Sequence, residues 1–286
     1  MSKKFEDNCC IIVPIYKVSL DELELRSIVQ LLKVLKKRNI FFVHPENLNL
    51  YYYKDLARKH NKSDIDFVAL SPTYFYSIIG YNKLMISSSF YKKFSNFNYM
   101  LIYQADCYIF EDNLDYWCAK NYDYIGGIWF ENYTGNPEND KNMWLPGNGG
   151  LSLRKTKSII TLLNSKKPYY NYKELKNQIY FKNKKYSIHN LKKILKLIFM
   201  IFGYRNNINY FAKTNKKNED VFIMTYLRKT KNFKVPNVKD AIFFSWDRRP
   251  DYLYNKYKKL PMAVHAWFRD DDVYKENKTF WKKFIN

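Results

Sequence analysis

Residues 9–16 read Cys-Cys-Ile-Ile-Val-Pro-Ile-Tyr, an almost unbroken apolar run near the start of the chain. A continuous apolar run of this length is typical of a strand that is buried on both faces of a mainly parallel sheet. A helical pattern follows over residues 20–37, with acidic residues near its start and basic residues at its end. That charge distribution is the one that the helix dipole favours. The sequence therefore predicts a buried strand followed by a helix.

The same alternation continues through the first half of the chain. Further strands are predicted over Ile40–Val43, Ile65–Leu70 and Tyr99–Gln104, with helical signal over Asn82–Phe94. Strands that alternate with helices indicate βαβ units with right-handed crossovers. We therefore expect an α/β fold, in which a mixed and mainly parallel sheet is flanked by helices. In such sheets ligands bind beyond the carboxyl ends of the strands.

The second half of the chain has a less regular pattern. A long loop is predicted over Glu131–Asn148, where Gly, Pro, Asn and Asp dominate, and its length suggests a functional role. Strands are predicted over Gly149–Arg154, Ala241–Ser245 and Met262–His265, and helices over Asn218–Arg228 and around Trp281. Neither an internal repeat nor a flexible linker is visible in the sequence, so we expect one domain over residues 1–286 with an irregular C-terminal half.

Composition narrows the class of protein. Of 286 residues, 47% are apolar, which provides for a sizeable core and excludes a disordered or collagen-like chain. The chain has 49 Lys and Arg against 27 Asp and Glu, a formal net charge of +22. Such an excess favours acidic partners, namely nucleic acid, nucleotide phosphates or an anionic membrane. A basic surface that only promotes solubility is the other explanation of the charge.

The cysteines and the N-terminal residues indicate the compartment. Cys9, Cys10, Cys107 and Cys118 lack the spacing of a metal site. Adjacent residues of a strand point to opposite faces, so Cys9 and Cys10 are not expected to form a disulfide, and a reducing compartment is the simpler interpretation. The apolar run after the charged first residues is too short for a signal peptide or a membrane span. The sequence predicts a cytoplasmic protein.

Two segments in the middle of the chain could carry chemistry. Tyr99–Phe110 places a single carboxylate, Asp106, within an apolar run, where it either caps a turn at the strand end or binds a cation. Residues 146–154 read Pro-Gly-Asn-Gly-Gly-Leu-Ser-Leu-Arg. These glycines predict either a plain turn or a close approach of substrate to the backbone. The segment lacks the Gly-Lys-Ser/Thr ending of a phosphate-binding P-loop.

Two later segments supply further candidates. Glu219 and Asp220 stand at the start of a predicted helix, where acids cap the helix or present a general base. His265 lies at the end of a short apolar strand, where a histidine is either a hydrogen-bonded core residue or a metal ligand.

Taken together and in this order, the four segments resemble glycosyltransferases of the GT-A type. Gln104-Ala-Asp106 matches the Asp-x-Asp metal motif at its last position only. Asn148-Gly-Gly150 matches the glycine-rich loop, Glu219-Asp220 the acidic pair, and His265 the C-terminal histidine. The amino-acid sequences of these segments are most similar to an uncharacterised branch of these glycosyltransferases, which is associated with bacterial capsule and lipopolysaccharide biosynthesis. The resemblance spans residues 9–285.

The resemblance implies a set of site residues. Asp106 and His265 would hold Mn²⁺ or Mg²⁺, which neutralises the leaving diphosphate. Asp220 would be the base of an inverting reaction, and Glu219 would bind the acceptor sugar. The nucleotide sugar would contact Pro14, Tyr16, Lys17, Asn82, Lys83, Gln104, Ala105 and Asp106. Asn148, Gly149 and Gly150 would line the junction of donor and acceptor, with Trp144, Trp246 and Trp267 as sugar-stacking candidates.

The implied activity is transfer of a hexose from a nucleotide-diphosphate sugar, with UDP as the nucleotide by family habit, to a hydroxyl of a bacterial surface glycan. Residues 9–130 would bind the donor, and residues 131–286 would bind a glycan or lipid-linked glycan acceptor. Gln104 departs from the family pattern and removes one carboxylate from the metal site. Arg248, Arg249 or Arg269 could then neutralise the diphosphate instead.

A basic and then apolar segment lies over residues 188–203. It is far too short to span a membrane, and it predicts either a buried helix or a helix that docks on an anionic membrane surface. Docking would make the protein peripheral on the inner face of the cytoplasmic membrane.

Two other functions remain alternatives. A nucleic-acid-binding protein would explain the charge and the aromatics. The lysines are dispersed, however, and no nucleic-acid motif is present, so no nucleic-acid partner is expected. A non-catalytic sugar-binding subunit on the same fold is the other alternative, because the first acid of the metal motif is missing.

Overall fold

The computed structural model describes residues 8–62, 64–131, 142–178, 188–271, 273–274 and 276–285. Nine strands are found in these ranges: β1 Cys9–Pro14, β2 Asn39–Pro45, β3 Asp66–Leu70, β4 Tyr99–Tyr103, β5 Tyr108–Ile109, β6 Tyr124–Phe130, β7 Met143–Lys155, β8 Ser245–Trp246 and β9 Ala263–Val264.

The helices of the same ranges are mostly short. They are α1 Glu22–Val34, α2 Tyr51–Lys59, α3 Ile78–Met85, α4 Ser88–Lys92, α5 Leu114–Ala119, α6 Thr156–Leu163, α7 Tyr172–Gln178, α8 Ile188–Ile201, α9 Ile208–Thr214, α10 Glu219–Phe222, α11 Val238–Ala241, α12 Pro250–Tyr257 and α13 Asn277–Trp281. Within the described ranges, no helix combines the length and the apolar character that a membrane span needs.

The main sheet has six strands in the order β3-β2-β1-β4-β7-β6. The strands β3, β2, β1 and β4 pair in parallel, whereas β7 runs antiparallel to both of its neighbours. The prediction of a mixed and mainly parallel sheet flanked by helices is therefore confirmed. Crossover connections bring the carboxyl ends of β1 and β4 to the same edge of this sheet.

The first strand explains how both faces of the sheet are filled. All six residues of β1 are buried. Cys9 packs into the core layer that contains Leu31 and Leu32 of α1, and Cys10 packs into the opposite layer with Ile159 and Leu163 of α6. The two neighbouring cysteines therefore point to opposite faces, as predicted, and all four cysteines are free thiols.

Local signals set the helix bounds. Asp21 caps α1, because its side chain accepts hydrogen bonds from the backbone N–H groups of Leu23 and Glu24, and Glu24 completes a capping box. The helix therefore begins at Glu22, two residues inside the predicted range, and ends at Val34. The helix predicted over Asn82–Phe94 is two helices, α3 and α4, which are separated at Ile86–Ser87.

The predicted loop over Glu131–Asn148 is partly wrong. Its residues 132–141 lie outside the described ranges, but residues 143–148 belong to the long strand β7. The reason is tertiary, because β6, which was not predicted, pairs with β7 along this segment through several register shifts. The Gly and Pro content that suggested a loop corresponds to those irregularities in the ladder.

A second, three-stranded sheet of order β5-β9-β8 organises the C-terminal half. The strand predicted over Ala241–Ser245 is mainly helix and turn, because Asn237 caps α11 by accepting from Asp240 N. The backbone N–H of His265 donates to Trp246 O at 2.9 Å, and that of Trp267 donates to Asp106 O at 3.2 Å. These bonds place the C-terminal segment against the end of β4.

Candidate active site

Asp106 stands where the chain leaves β4 at the edge of the main sheet. The turn is fixed on both sides, because Gln104 N donates to Gly150 O and Cys107 N donates to Gln104 O. The Asp106 side chain is 20% exposed and lines a cavity of about 530 Å³. Its Oδ1 atom is buried and accepts no hydrogen bond from the described residues. A carboxylate in this state is available to a ligand in the cavity.

The ring of His265 lies beside that oxygen. Its Nε2 lies 3.4 Å from Asp106 Oδ1 and 3.3 Å from Gln104 Oε1, while its Nδ1 lies 2.7 Å from Asp247 Oδ1. Burial lowers the pKa of His265, but the charge of Asp106 and the hydrogen bond to Asp247 together raise it to about 9. Asp247 therefore orients the ring so that Nε2 faces Asp106 and Gln104.

The donor atoms at this point fit a divalent cation that is shared with a substrate. Among the described residues, no group of three or more His, Cys, Asp or Glu side chains could hold a metal ion on its own. Asp106 offers a carboxylate and Gln104 a carbonyl oxygen, and Asp106 Oδ1 has no hydrogen bond to lose. His265 would offer Nε2 as a ligand on release of its proton, which a bound cation would displace. A hard cation such as Mg²⁺ commonly takes one or two protein ligands and completes its shell with phosphate and water.

The glycine-rich loop packs directly against the acidic pair and against the ring of His265. A Cβ atom on Gly149 would collide with the carboxylate of Glu219, and a Cβ atom on Gly150 would collide with the ring of His265. Asn148 is buried, and its Oδ1 accepts from Gly150 N at 2.9 Å. The sequence places glycine here because the acidic pair and the histidine approach the backbone closely.

Glu219 is held by buried partners on two sides. Its Oε1 lies 3.0 Å from Arg154 Nη2, and both side chains are almost fully buried. Asn82 accepts from Glu219 N at 3.1 Å and donates to Asn218 Oδ1 at 3.2 Å. Asn82 therefore joins α3 to the start of α10 and fixes the position of the acidic pair.

Asp220 lies beside the glycine loop. Its Oδ2 accepts from Gly149 N at 3.1 Å, and its Oδ1 accepts from Val221 N at 2.7 Å. Burial and the neighbouring charge of Glu219 raise the pKa of Asp220 to about 7, although these hydrogen bonds oppose the shift. A carboxylate with this pKa can take up a proton near neutral pH.

The cavity contains five of the residues predicted to bind the donor. Its wall includes Pro14, Tyr16, Gln104, Ala105 and Asp106. Arg269, a candidate to neutralise the diphosphate, also lines the cavity. The remaining lining residues were not predicted as donor ligands: Glu24, Tyr74, Phe75, Tyr76, Ser77, Ile78, Tyr81 and Phe268.

Other predicted residues lie elsewhere. Lys17 is beside the cavity, with its ammonium group 2.7 Å from Glu24, and Lys83 is exposed on α3 without lining the cavity. Trp246 and Trp267 are core residues rather than exposed stacking surfaces, because their indoles are buried and donate to Ile242 O and Ser27 Oγ.

Of the remaining aromatic and basic candidates, some are exposed or line the cavity, and others are buried or paired with acids. Trp144 is half exposed and stacks on Trp129 with ring centroids 6.2 Å apart. Arg269 lines the cavity. Arg248 is buried and donates to Val273 O, and Arg249 pairs with Asp251 and Glu276.

Three residues of this region had no predicted role. Asp247 orients His265, Arg154 pairs with Glu219, and Tyr81 accepts from Gln104 Nε2 at 3.0 Å. Arg154 had a signal in the sequence, since a charged residue within an apolar strand needs a buried partner. Asp247 and Tyr81 had none, because their neighbours come from distant parts of the chain.

Comparison with known proteins shows the family of the chain. Residues 64–265 match the model of the family described as "Protein of unknown function (DUF5672)", and the chain belongs to that family. No curated protein matches the chain in sequence.

Solved structures with some likeness are glycosyltransferases by name. Mouse xyloside xylosyltransferase 1 is 12% identical, with 90% of this chain and 96% of that chain covered and a TM-score of 0.45. The glycosyltransferase GlyE of Streptococcus pneumoniae TIGR4 is 10% identical, with 91% and 54% covered and a TM-score of 0.44. The mannosyltransferase Ktr4p of S. cerevisiae is 12% identical, with a TM-score of 0.37. That alignment covers 47% of this chain and less than half, 43%, of Ktr4p. At these scores the likenesses carry no argument about chemistry.

Proposed function

We propose that this chain is a glycosyltransferase that moves a hexose from a nucleotide-diphosphate sugar to a hydroxyl group of a glycan. One observation carries the proposal: the buried Asp106 Oδ1 accepts no hydrogen bond from the described residues and lies beside His265, and the Asp106 side chain lines a cavity of about 530 Å³. The cavity is at the carboxyl edge of the sheet, where ligands of open α/β folds bind. The glycine loop connects this site to the acidic pair, because Gly150 packs against His265 while Gly149 N donates to Asp220.

The diphosphate of the donor is proposed to bind at Asp106 and His265. A divalent cation, Mn²⁺ or Mg²⁺, held there by these two side chains and by Gln104 would neutralise charge on the leaving diphosphate. Arg269 lines the same cavity and is the basic side chain best placed to add to that neutralisation. Arg248 and Arg249 are not proposed for this role, because their guanidinium groups face Val273 O and the acids Asp251 and Glu276.

Asp220 is proposed as the general base. The acceptor hydroxyl oxygen would bond to the anomeric carbon, the bond from that carbon to the diphosphate oxygen would break, and the hydroxyl proton would pass to Asp220. A single displacement of this kind inverts the anomeric configuration. A pKa of about 7 suits the role, because the carboxylate is ionised in a large fraction of molecules and still accepts a proton.

Glu219 receives a different role from the one first expected. It was expected to bind the acceptor sugar, but its carboxylate is buried against Arg154. We propose instead that Glu219 is a positioning residue, which fixes Gly149 and Asp220 and raises the pKa of Asp220 through its charge.

The donor nucleotide and the acceptor are proposed from the sequence resemblance. UDP is the nucleotide to test first, and GDP, CDP and CMP are the comparisons. The acceptor is proposed to be a bacterial surface glycan, free or linked to a lipid, as in capsule or lipopolysaccharide biosynthesis.

Replacement of the base separates an enzyme from a binding module. Asp220→Asn is expected to lower the rate of nucleoside-diphosphate release from the donor sugar by about 10²–10⁴, because the general base is lost. Nucleotide affinity should stay the same, because the cavity wall is unchanged. Asp240→Asn, an exposed acid on α11, is the matched control and should keep wild-type turnover.

The opposite results would reject the proposal. Wild-type protein that binds the donor without turnover would identify a non-catalytic sugar-binding subunit. Turnover that survives Asp220→Asn would remove Asp220 as the base.

A further inference from the structure

The outer face of α8 is apolar where the helix of a soluble domain is usually polar. Ile194, Leu195, Ile198, Phe199 and Phe202 are each between 44% and 81% exposed. Leu197, by contrast, is 7% exposed and provides the packed side of the helix. Tyr204, which follows the helix, is 56% exposed. We use the term outer face for these six exposed residues: Ile194, Leu195, Ile198, Phe199, Phe202 and Tyr204.

The arrangement of the exposed side chains is helical. With about 100° of rotation per residue, the five from Ile194 to Phe202 fall within an arc of about 140°. Lys192 and Lys196, both exposed, fall next to one border of that arc. Leu197 falls about 60° beyond the other border, where it is buried. The helix is therefore amphipathic with its apolar arc directed outward, in contact with solvent.

Basic residues surround the end of this helix. Lys166, Arg205 and Lys213 line one shallow cavity together with Phe202 and Tyr204. An adjoining cavity shares Lys166 with the first and adds three more lysines and one acid: Lys167, Lys229, Lys231 and Glu174. With Lys192 and Lys196, the described residues of this region therefore include eight exposed cations and a single acid.

We propose that the outer face and its surrounding cations form a docking surface for an anionic lipid bilayer. An amphipathic helix of this kind lies in the plane of the interface, with its apolar residues among the acyl chains and its lysines among the headgroups. Each Lys or Arg close to an anionic leaflet adds to the attraction. The charge complementarity selects this occupant, because Lys166, Arg205 and Lys213 line the same cavity as the exposed rings of Phe202 and Tyr204.

The same two features disfavour the other occupants. Nucleic acid would use the cations and leave the aliphatic residues in water. A second copy of the chain would bring two sets of like charges together along the apolar arc. The proposal does not depend on glycosyl transfer, because the docking surface shares no residue with the candidate active site.

Flotation with vesicles tests the proposal on the full chain. The protein is mixed with vesicles of phosphatidylcholine alone, or of phosphatidylcholine and phosphatidylglycerol in equal parts, and the floated fraction is measured over a range of salt. Binding is expected to the anionic vesicles only, and to fall as salt rises.

Two variants probe the two parts of the surface. The triple variant Lys166→Glu, Arg205→Glu, Lys213→Glu is expected to weaken binding to anionic vesicles by at least about tenfold. The double variant Phe199→Ser, Phe202→Ser is expected to weaken it by about tenfold, because less apolar area enters the bilayer. All of these residues are exposed, and circular dichroism checks that the variants fold.

Matched controls lie on the other side of the main sheet. Lys33→Glu, Lys36→Glu, Lys37→Glu makes the same change in net charge around the end of α1, whose leucines pack in the layer of Cys9, whereas α9 packs in the layer of Cys10. Tyr51→Ser, Tyr116→Ser removes two exposed aromatic rings from α2 and α5. Both controls should bind anionic vesicles within about twofold of the wild type.

Three outcomes would refute the proposal. One is equal flotation with both kinds of vesicle or with neither. Another is loss of vesicle binding in the charge control as large as in the triple variant, because the net charge alone would then explain it. The third is a dimer in light scattering that Phe199→Ser, Phe202→Ser dissociates, or tight DNA binding that the triple variant abolishes, without vesicle binding by the wild type.

Discussion

Two acid–base pairs meet at the glycine-rich loop, and they are built differently. Glu219 pairs with Arg154 at 3.0 Å, and the guanidinium is also bonded to Tyr91, Ser152 and the backbone. Asp106 pairs with His265 at 3.4 Å, lines a cavity, and has a buried oxygen that accepts no hydrogen bond from the described part of the chain. One pair is enclosed by its partners, and the other is open to a ligand.

The difference distinguishes residues that hold other protein groups in position from residues that bind a ligand. A buried charge whose partners are all protein groups stabilises one geometry, here the contact of Gly149 with Glu219 and Asp220. A carboxylate with an unused acceptor at a cavity is costly unless a ligand repays the burial. Removal of one partner of the first pair should therefore destabilise the folded chain. Removal of one partner of the second pair should instead weaken ligand binding.

The largest effect is expected at the enclosed pair. Arg154→Met should lower the free energy of unfolding by about 3–5 kcal/mol, because it leaves Glu219 buried without a counter-charge. Urea denaturation followed by circular dichroism measures the change. Arg58→Met, at an exposed arginine of α2, is the control and should stay within about 0.5 kcal/mol of the wild type.

A second substitution sharpens that result. Arg154→Met, Glu219→Gln should recover part of the lost stability, because the unpaired charge is gone. A loss below about 1 kcal/mol in the single variant would contradict the enclosed character of the pair.

The open pair is expected to respond in binding rather than in stability. Asp106→Asn should weaken the affinity for a Mn²⁺–nucleoside diphosphate by at least about 100-fold, because a charged cation ligand is lost. Titration calorimetry measures this affinity. The free energy of unfolding should change by about 1 kcal/mol or less, because Asp247 still pairs with His265 at 2.7 Å. A loss of stability like that of Arg154→Met, with affinity retained, would make the two pairs equivalent.

Asp220 is bonded to the glycine-rich loop at Gly149, and its pKa gives the stability a pH dependence. Its pKa is about 7 in the folded chain and 3.8 as the ordinary value. Between these values the unfolded chain has released the proton and the folded chain retains it, so rising pH favours unfolding. The contribution is complete below about pH 4 and is lost as the pH rises to about 7.

Asp220→Asn removes this titration. The free energy of unfolding of the variant, relative to the wild type, should be higher at about pH 8 than at about pH 4 by about 4 kcal/mol. Urea denaturation at both pH values measures the difference, with Asp240→Asn as the control. A difference that is the same at both pH values would show that Asp220 has an ordinary pKa.

The smallest effect is expected at Asp247, which contacts the proposed cation ligand His265. Asp247→Asn should weaken the affinity for the same Mn²⁺–nucleotide by about tenfold, because His265 loses the carboxylate that orients its ring. The effect should vanish in the Asp106→Asn background if both residues act on one bound cation. Additive losses would mean that the two acids serve separate sites.

The regular half of the fold was predictable because its signals are local. The apolar run of β1 and the charges around α1 belong to consecutive residues, and both elements are found close to their predicted bounds. The strand β6 and the first part of β7 were missed, because their Gly- and Pro-containing sequence forms a ladder only by pairing with each other. Partners distant in sequence decide such elements.

The site was predictable as residue types rather than as contacts. Asp106, Gly149, Gly150, Asp220 and His265 come from four segments of the chain that the fold brings together. Their functional roles stay predictions. The burial of Trp246 and Trp267 could not be predicted, because a tryptophan beside a candidate ligand is equally compatible with a core or an exposed surface.

The most direct test of the account is a thermal-shift panel of UDP, GDP, CDP and CMP, each with and without Mn²⁺. Ligand at a hundredfold excess over its dissociation constant stabilises the folded chain by about 2.7 kcal/mol. The account predicts a manganese-dependent rise in unfolding temperature with one nucleoside diphosphate, and its loss in Asp106→Asn. No shift with any nucleotide, together with tight and salt-sensitive binding to DNA or RNA, would contradict it.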